Sequence, residues 1–338
     1  MAKSSVIVIG AGVAGLSAAL ELAERGIGVE IVERGSALGE GSCSWMAGGM
    51  LAPWCERATT EPEVAVWGAP SIAWWAERFT ETVQNGSLVV AQSRDAPDLA
   101  RFAARTERFE WADGERIAAL EPDLAGRFRR ALFFPDEAHL DPRRALAALA
   151  KNLEARGVAI RFGVERAPQD VQADVVVDCR GLAARDCLPD LRGVRGEMIV
   201  VRSPDVSLAR PVRMLHPRLP LYIVPRGDGL FMIGATMIES ERRGPVTVRS
   251  AVELLNAAYA LHPAFGEAEI VELGADVRPA FPDNLPQLRQ SGRVLHANGL
   301  FRHGFLLAPT LAQRTADAVL SMLSSETNHA DLPQRRRA

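Results

Sequence analysis

Long hydrophobic runs, paired cysteines and a strong charge bias are all missing from this sequence. No apolar run reaches the ~18 residues of a membrane span, and the apolar start at Val6 lacks the basic leader and cleavage site of a secretion signal. The net charge of -3 predicts no basic surface for nucleic acid or for membrane headgroups. We therefore expect a cytoplasmic globular protein of roughly two domains.

The four cysteines argue against two kinds of site. Cys43, Cys55, Cys179 and Cys187 form no C-x-x-C pair, and no histidine lies beside them at metal-ligand spacing. We expect neither disulfides nor zinc, and we predict no other metal site. Such cysteine usage is typical of a reducing compartment.

The chain opens with a strand, a glycine-rich turn and a helix. The short apolar run over 6–9 predicts a strand buried on both faces. Gly10, Gly12 and Gly15 follow in G-x-G-x-x-G spacing, and a helix is predicted over 14–25. These glycines permit, in order, a tight turn, an approach of backbone to a pyrophosphate, and close packing of helix on strand.

A second strand, predicted over 29–32, ends at Glu33. A carboxylate about twenty residues after the glycines accepts hydrogen bonds from ribose hydroxyls. This acid argues against a 2′-phosphate and hence against NADP. The pattern predicts a dinucleotide site and leaves both FAD and NAD open.

The next segment, GSCSWMAGGMLAPWCE over 41–56, is small, apolar and rich in glycine. An NAD dehydrogenase usually continues into another helix and strand, whereas bare backbone suits a flat ring that lies against the chain. A buried loop packed by Trp45, Met46 and Trp54 is the alternative interpretation.

Two later segments complete the nucleotide unit. Buried strands are predicted in ADVVVDCRG (173–181) and RVLHANG (293–299), and a helix is predicted from Pro309. The turn over 300–307 then presents N–H groups and the positive end of that helix. The negative pyrimidine edge of a reduced flavin is the anion we expect there.

The chain resembles the FAD-dependent D-amino-acid oxidase superfamily, and within it the glycine oxidases of thiamine biosynthesis. The resemblance extends from about Val6 to Leu323. The matching motifs are Gly10-x-Gly12-x-x-Gly15, Glu33-Arg34, Cys43-Ser44, Gly48-Gly49-Met50, YIVPRGDGLFMIGAT (222–236), VRPAFPDNLP (277–286) and FRHGFLLAP (301–309).

The resemblance implies an α/β fold. A Rossmann-type FAD-binding domain of the GR2-like kind is interleaved with an α+β substrate domain on a mostly antiparallel sheet. A hairpin is predicted around Gly227-Asp228-Gly229. The expected bounds are 1–78, 141–190 and 291–325 for the FAD-binding domain, 79–140 and 191–290 for the substrate domain, and 326–338 for a disordered tail.

The resemblance also assigns the site. Arg278 takes the substrate carboxylate and Tyr222 assists it, while the backbone carbonyl of Arg302 accepts from the substrate amine. The Arg302 guanidinium ranks second to Arg278 as a carboxylate ligand, and Met50 also contacts substrate. The residues implied for a non-covalent FAD are Gly10, Gly12, Val13, Ala14, Gly15, Glu33, Arg34, Cys43, Ser44, Gly48, Gly49, Met50, Val164, Gly181, Leu300, Phe301, Arg302, His303, Gly304, Phe305 and Leu306.

The implied reaction is oxidation of glycine or a small amine acid. Hydride passes to flavin N5 and oxygen re-oxidises the flavin, which gives the imino acid and hydrogen peroxide for the thiazole branch of thiamine synthesis. The partners implied are the amino-acid substrate, oxygen, thiazole synthase and further copies of the chain. No general base is needed if the amine enters neutral, so His303 is not assigned that role.

Several alternatives stay open. Sarcosine, D-proline, D-alanine or another D-amino acid are rival substrates, because Pro220 and Arg180 depart from the glycine oxidase pattern. A dehydrogenase that passes electrons to a partner, such as a cyanide-forming subunit, is a second interpretation. An inactive flavin-binding subunit, an NAD-dependent dehydrogenase, and a flavin bound covalently through Cys43 or Cys55 are the remaining ones.

Overall fold

The computed structural model describes residues 5–215 and 221–330, with side chains described as far as residue 325. Pro220 and residues 331–338 of the predicted tail lie outside the described residues. The last helix continues to Ala330, so the first five residues of that tail are helical.

The described chain contains both strands and α-helices, and the longest run of strands without an α-helix between them covers residues 160–239. The strands are β1 Val6–Ile9, β2 Val29–Val32, β3 Met50–Leu51, β4 Ser87–Ala91, β5 Glu110–Asp113, β6 Arg130–Phe134, β7 Ala138–His139, β8 Ile160–Arg161, β9 Val175–Asp178, β10 Arg192–Arg202, β11 Val212–Leu215, β12 Leu221–Pro225, β13 Leu230–Gly234, β14 Ile238–Glu239, β15 Glu269–Ala280, β16 Gln287–Ser291 and β17 Val294–Asn298. The α-helices are α1 Val13–Glu24, α2 Pro53–Arg57, α3 Pro62–Gly68, α4 Ser71–Arg78, α5 Ala96–Ala103, α6 Gly114–Leu120, α7 Pro142–Ala155, α8 Val248–Leu261 and α9 Gly304–Ala330.

The first sheet has the order β16-β17-β9-β1-β2-β8. Its strands are parallel except for β16, which pairs antiparallel with β17. The predicted strands over 6–9 and 29–32 are confirmed, and the predicted helix over 14–25 lies at Val13–Glu24. The two late strands also join this sheet as expected, so β1 lies centrally and its carboxyl end carries the glycine turn.

The second sheet has the order β14-β10-β13-β12-β11-β4-β6-β5, with β15 added along β10. Its pairs are antiparallel except for β4 with β11, which confirms the mostly antiparallel sheet. The predicted hairpin is β12–β13. Because this sheet takes strands from 87–134 and from 192–280, it interrupts the first sheet in sequence; the exact domain bounds stay a prediction.

Helix α1 packs against both α7 and α9, and the three helices share one hydrophobic core with the first sheet. Leu16 and Leu20 of α1 are fully buried in this core. The α7 helix begins where Asp141 accepts from the N–H groups of Arg143 (2.8 Å) and Arg144 (3.2 Å), a side-chain cap of the usual kind. No helix within the described ranges is long and apolar enough to cross a bilayer.

The α9 helix begins at Gly304 rather than at Pro309, where the sequence predicted its start. A proline inside a helix normally leaves the carbonyl four residues earlier without a donor. Here that carbonyl, of Phe305, accepts from Trp75 Nε1 at 2.8 Å, and the next one, of Leu306, accepts from the Ser71 hydroxyl at 2.5 Å. Helix α4 therefore supplies donors to the carbonyls of the first turn of α9, and the helix can begin more than one turn before the proline.

We expect Trp75→Phe to destabilise the protein because it leaves the buried Phe305 carbonyl without a donor. The loss should lower the free energy of unfolding by about 1–3 kcal/mol, measured by urea denaturation. Trp111→Phe is the control, since Trp111 is 43% exposed. Equal stability of the two variants would show that this hydrogen bond does not support the helix.

Candidate functional site

A cleft of about 440 Å³ runs from the carboxyl ends of β1 and β9 to the face of the second sheet formed by β10, β12 and β15. Its volume is in the range of small-molecule and cofactor sites. One end is lined by the glycine turn after β1, and the other by Tyr222, Arg278 and Arg302.

The glycine turn has the close packing that its sequence predicts. A Cβ on Gly15 would lie 1.8 Å from the Gly10 carbonyl oxygen, and one on Gly10 (φ +106°) would lie 2.6 Å from the Cys179 carbonyl oxygen. Gly12 lines the cleft and precedes α1. The Val13 N–H donates to the Ser44 hydroxyl at 3.1 Å, whereas the N–H of Ala14 has no acceptor in the described part of the chain. The start of α1 thus offers an anion site to a phosphate.

Glu33 lines the cleft beside this turn. Its carboxylate accepts from the Ala11 N–H at 2.6 Å and from the Gly35 N–H at 2.8 Å. These bonds fix both oxygens, and each oxygen keeps acceptor capacity for a ribose hydroxyl. Arg34 and Val164 line the same region.

The glycine-rich segment forms the next wall of the cleft. Its chain is held by two arginines that the sequence interpretation missed: Arg143 donates to the Trp45 carbonyl at 3.1 Å, and Arg226 donates to the Ala47 carbonyl at 2.7 Å. Arg143 also forms a two-pronged ion pair with Glu272 on β15 (2.7 and 2.8 Å). The segment is therefore fixed to the second sheet rather than loose over the cleft.

Two cysteines in this region stay protonated. Burial raises the pKa of Cys43, which lines the cleft, to about 12. Burial likewise raises the pKa of Cys55 to about 12, and Cys55 lies outside the cleft lining. A thiol is a poor nucleophile compared with a thiolate.

The turn before α9 closes the cleft from the other side. Phe301 adopts a left-handed conformation (φ +49°) and its N–H donates to the Pro279 carbonyl at 3.0 Å. The N–H groups of Gly304 and Phe305, at the start of α9, have no acceptor among the described residues. They are available to an anion in the cleft, and the flavin edge that the sequence analysis expects there stays a prediction.

Arg278 lies on β15 with its guanidinium directly against Gly196 of β10. A Cβ at Gly196 would lie 2.0 Å from Nη2 of Arg278. The guanidinium donates to the Thr236 carbonyl at 3.2 Å, and no carboxylate in the described ranges pairs with it. Arg278 is therefore a half-buried cation in the cleft lining that forms no ion pair with any described residue.

Tyr222, on β12, lines the same end of the cleft as Arg278. A Cβ at Gly48 would lie 2.7 Å from its ring, so the ring packs directly on the glycine backbone. Burial raises the pKa of Tyr222, which keeps its hydroxyl a neutral donor. Met46 and Met198, two residues absent from our predicted site, also line this end of the cleft.

Arg302 also lines the cleft, but its side chain is already paired. Nη2 donates to Glu56 at 2.5 Å and to the Thr59 hydroxyl at 2.8 Å. Burial lowers the pKa of the adjacent His303 to about 3, so this imidazole is neutral and too weak a base for a proton-abstracting role. Glu56 was not among the predicted residues, although it ends the glycine-rich segment.

Most of the predicted residues share this one cleft. Those in its lining are Gly10, Gly12, Val13, Ala14, Glu33, Arg34, Cys43, Ser44, Gly48, Val164, Gly181, Tyr222, Arg278, Leu300, Phe301, Arg302, Gly304 and Phe305. Those outside the lining are Gly15, Gly49, Met50, His303 and Leu306. Met50 pairs with His139 and packs against the cluster around Cys55 and Phe134, behind the cleft.

Arg180, noted in the sequence as a bulky departure, folds onto two acids. It donates to Asp178 from Nε and Nη2, both at 2.9 Å, and to Asp186 at 2.9 Å. The side-chain atoms of Asp178, Cys187 and His296 that could bind a metal ion lie within 4.8 Å of one another. The guanidinium already neutralises Asp178, however, which disfavours a divalent cation there.

The cleft fits a flavin dinucleotide. It offers free N–H groups at two helix starts, a carboxylate at ribose position, and glycine backbone where a flat ring would lie. The residues that would hold the group are Gly12 and Ala14 at the phosphates, Glu33 at the ribose, and the 304–305 backbone at the ring.

Comparison with known proteins agrees with this fit. The model of the FAD dependent oxidoreductase family, DAO, matches residues 5–318. The chain belongs to this family and is an FAD-dependent oxidoreductase.

Individual relatives are similar over nearly the whole chain. A Rhizobium etli protein provisionally named thiamine biosynthesis oxidoreductase ThiO is 57% identical, over 94% of this chain and 96% of its own length. The solved glycine oxidase of Geobacillus kaustophilus has a TM-score of 0.79 and 26% identity, with 94% of each chain covered. The Bifunctional protein ThiO/ThiG of Synechocystis is 29% identical over 98% of this chain, which spans about half (54%) of that relative.

We expect Gly196→Ala to displace the Arg278 guanidinium, because the new methyl group would occupy its place. Gly196 does not have the positive φ that would make alanine a strained choice. A displaced cation should lower kcat/KM for a carboxylate-bearing substrate by about 100-fold, with the flavin spectrum retained.

Gly114→Ala is the matched control, since the nearest atom to its Cβ is 3.8 Å away. An unchanged kcat/KM in Gly196→Ala would mean that Arg278 does not need this glycine.

Proposed function

We propose that this protein oxidises glycine or a small amine acid at the α-carbon. The observation that supports this most is the uncompensated Arg278 guanidinium, which lies in the cleft beside the Tyr222 hydroxyl. A guanidinium of this kind binds a carboxylate through two parallel hydrogen bonds. The proposal also draws on the relatives that are named glycine oxidase, such as that of Bacillus licheniformis (26% identical).

In this proposal the chain orients the substrate. Arg278 and Tyr222 hold the carboxylate, the Arg302 backbone carbonyl accepts from the amine, and the α-carbon then faces the cofactor. Positioning of this kind supplies a large part of a rate enhancement. The bound flavin would accept the hydride of the α-carbon at N5 and return its electrons to oxygen as hydrogen peroxide.

The N–H groups at the start of α9 stabilise negative charge that develops near them. The amine enters in its neutral form in this proposal, since His303 is too weak a base to deprotonate it. The imino acid that leaves is either hydrolysed or consumed by a partner.

We further propose a place in thiamine biosynthesis, with thiazole synthase as the partner that consumes the product. The 57% identical ThiO and the relatives whose names join ThiO and ThiG support this assignment. A cytoplasmic location, a non-covalent flavin and self-association belong to the same proposal.

The visible spectrum tests the reaction directly. We expect the purified protein to be yellow and to lose its colour when glycine is added without oxygen, with hydrogen peroxide formed once air is admitted. Bleaching by sarcosine or by a D-amino acid, but not by glycine, would assign that compound as the substrate in place of glycine. Bleaching without peroxide would indicate a partner as electron acceptor, and a yellow protein that no amine bleaches would contradict the proposed reaction.

We expect Arg278→Ala to weaken substrate binding by about 100-fold or more, because a charged pair of this type is worth at least about 3 kcal/mol. The flavin should remain bound, since Arg278 contacts the substrate end of the cleft. Substrate affinity is measured from the anaerobic spectral change.

Arg278→Lys keeps the charge but loses the two-pronged hydrogen bonding of the guanidinium. Its substrate affinity should therefore lie between those of the unaltered protein and of Arg278→Ala. An unchanged substrate affinity in Arg278→Ala would remove this residue from the carboxylate site.

A further inference from the structure

Glu56, on α2 behind the substrate end of the cleft, lies between two arginines. Its carboxylate accepts from Arg302 Nη2 at 2.5 Å and from Arg213 Nη1 at 3.1 Å. The exposed fractions of the three side chains are 13% for Glu56, 22% for Arg302 and 6% for Arg213. We call these three residues the Glu56 triad.

The triad has a single net positive charge. Burial raises the pKa of Glu56, but the opposing effect of Arg302 and Arg213 is larger and holds it at about 2. Glu56 is therefore ionised at every working pH. His303, whose Nδ1 lies 3.9 Å from the same carboxylate, is neutral and adds no charge.

The triad lies beside the proposed carboxylate site. Arg302 lines the cleft together with Arg278 and Tyr222, whereas Glu56 and Arg213 stand outside the lining. Arg213 is the cross-strand neighbour of Tyr222 in the β11–β12 pair. Two of the guanidinium groups in the lining therefore differ: Arg278 forms no ion pair among the described residues, whereas Arg302 is held by Glu56.

We propose that Glu56 is a specificity-determining residue that restricts this site to monocarboxylates by holding and neutralising Arg302. This inference rests on the proposed function, because it presumes that Arg278 binds the substrate carboxylate. Glu56 does not touch substrate itself; it acts through Arg302 and is a positioning residue.

The physical argument is one of charge. A substrate with one carboxylate needs one free guanidinium, and Arg278 supplies it. A second carboxylate near Arg302 finds hydrogen-bond donors that already serve Glu56 and Thr59. It also approaches the negative charge of Glu56 in a partly dehydrated site, where like charges repel strongly. Dicarboxylic amines are therefore rejected.

Glu56→Gln tests this inference because glutamine has the size of glutamate without its charge. The free Arg302 should then accept a second carboxylate. We expect the affinity for malonate relative to acetate to rise about tenfold or more, measured by the shift of the flavin spectrum on titration. The ratio of kcat/KM for iminodiacetate to that for glycine should rise in the same direction.

Two control variants separate charge from structure. Burial raises the pKa of Glu137 to about 8, so this acid, whose carboxyl accepts from the Cys55 N–H at 2.6 Å, is mostly uncharged at pH 7. Glu137→Gln therefore alters a neighbouring buried acid with little change in charge and should leave the preference unchanged. Glu56→Asp keeps the charge and should also retain the preference for monocarboxylates.

Loss of the Glu56 charge leaves Arg213 buried without an acid, which can prevent folding. The double variant Glu56→Gln with Arg213→Gln removes that unpaired cation and still releases Arg302. It should show the same gain for malonate over acetate.

The outcomes are distinct. An unchanged malonate-to-acetate ratio in a folded Glu56→Gln or double variant overturns the inference. If the unaltered protein binds acetate but no amine bleaches it, the proposed function fails and the charge test still decides the role of Glu56. If the unaltered protein already binds malonate as tightly as acetate, the inference is wrong from the start.

Discussion

Close packing against glycine backbone is the constraint on which both ends of the cleft depend. At the nucleotide end, α1 reaches β1 only because Gly15 brings no side chain against the Gly10 carbonyl. At the substrate end, the Arg278 guanidinium occupies the space that a side chain on Gly196 would fill, and the Tyr222 ring does the same at Gly48. The shape of the cleft is thus set by missing side chains as much as by present ones.

The nucleotide half of the site could be predicted from the sequence because its signals are local. The β1 strand, the glycine spacing and Glu33 all lie within thirty residues. Because they follow one another directly along the chain, local geometry alone places each next to the other. The start of α9 could not be predicted in the same way. Its donors, Trp75 and Ser71, come from more than two hundred residues away in sequence.

The substrate half depended on resemblance, since a single arginine in a sequence says little about its partners. Arg278 and Arg302 look alike in sequence, but the structure gives one a backbone carbonyl and the other an ionised acid. Gly196 did leave a usable signal, because a glycine inside a strand often marks close approach of another group. Glu56 left none, since only the fold brings α2 against the turn before α9.

The supports of the glycine-rich segment explain how two sheets share one site. Arg143 lies in α7, whose buried residues share the core of the first sheet. Its guanidinium donates to the Trp45 carbonyl and to Glu272 on the second sheet. Arg226, from the β12–β13 hairpin, reaches the Ala47 carbonyl from the other side. A segment held from both sheets keeps Gly48 in register with Tyr222. These two arginines therefore help to fix the position of Gly48 against the Tyr222 ring.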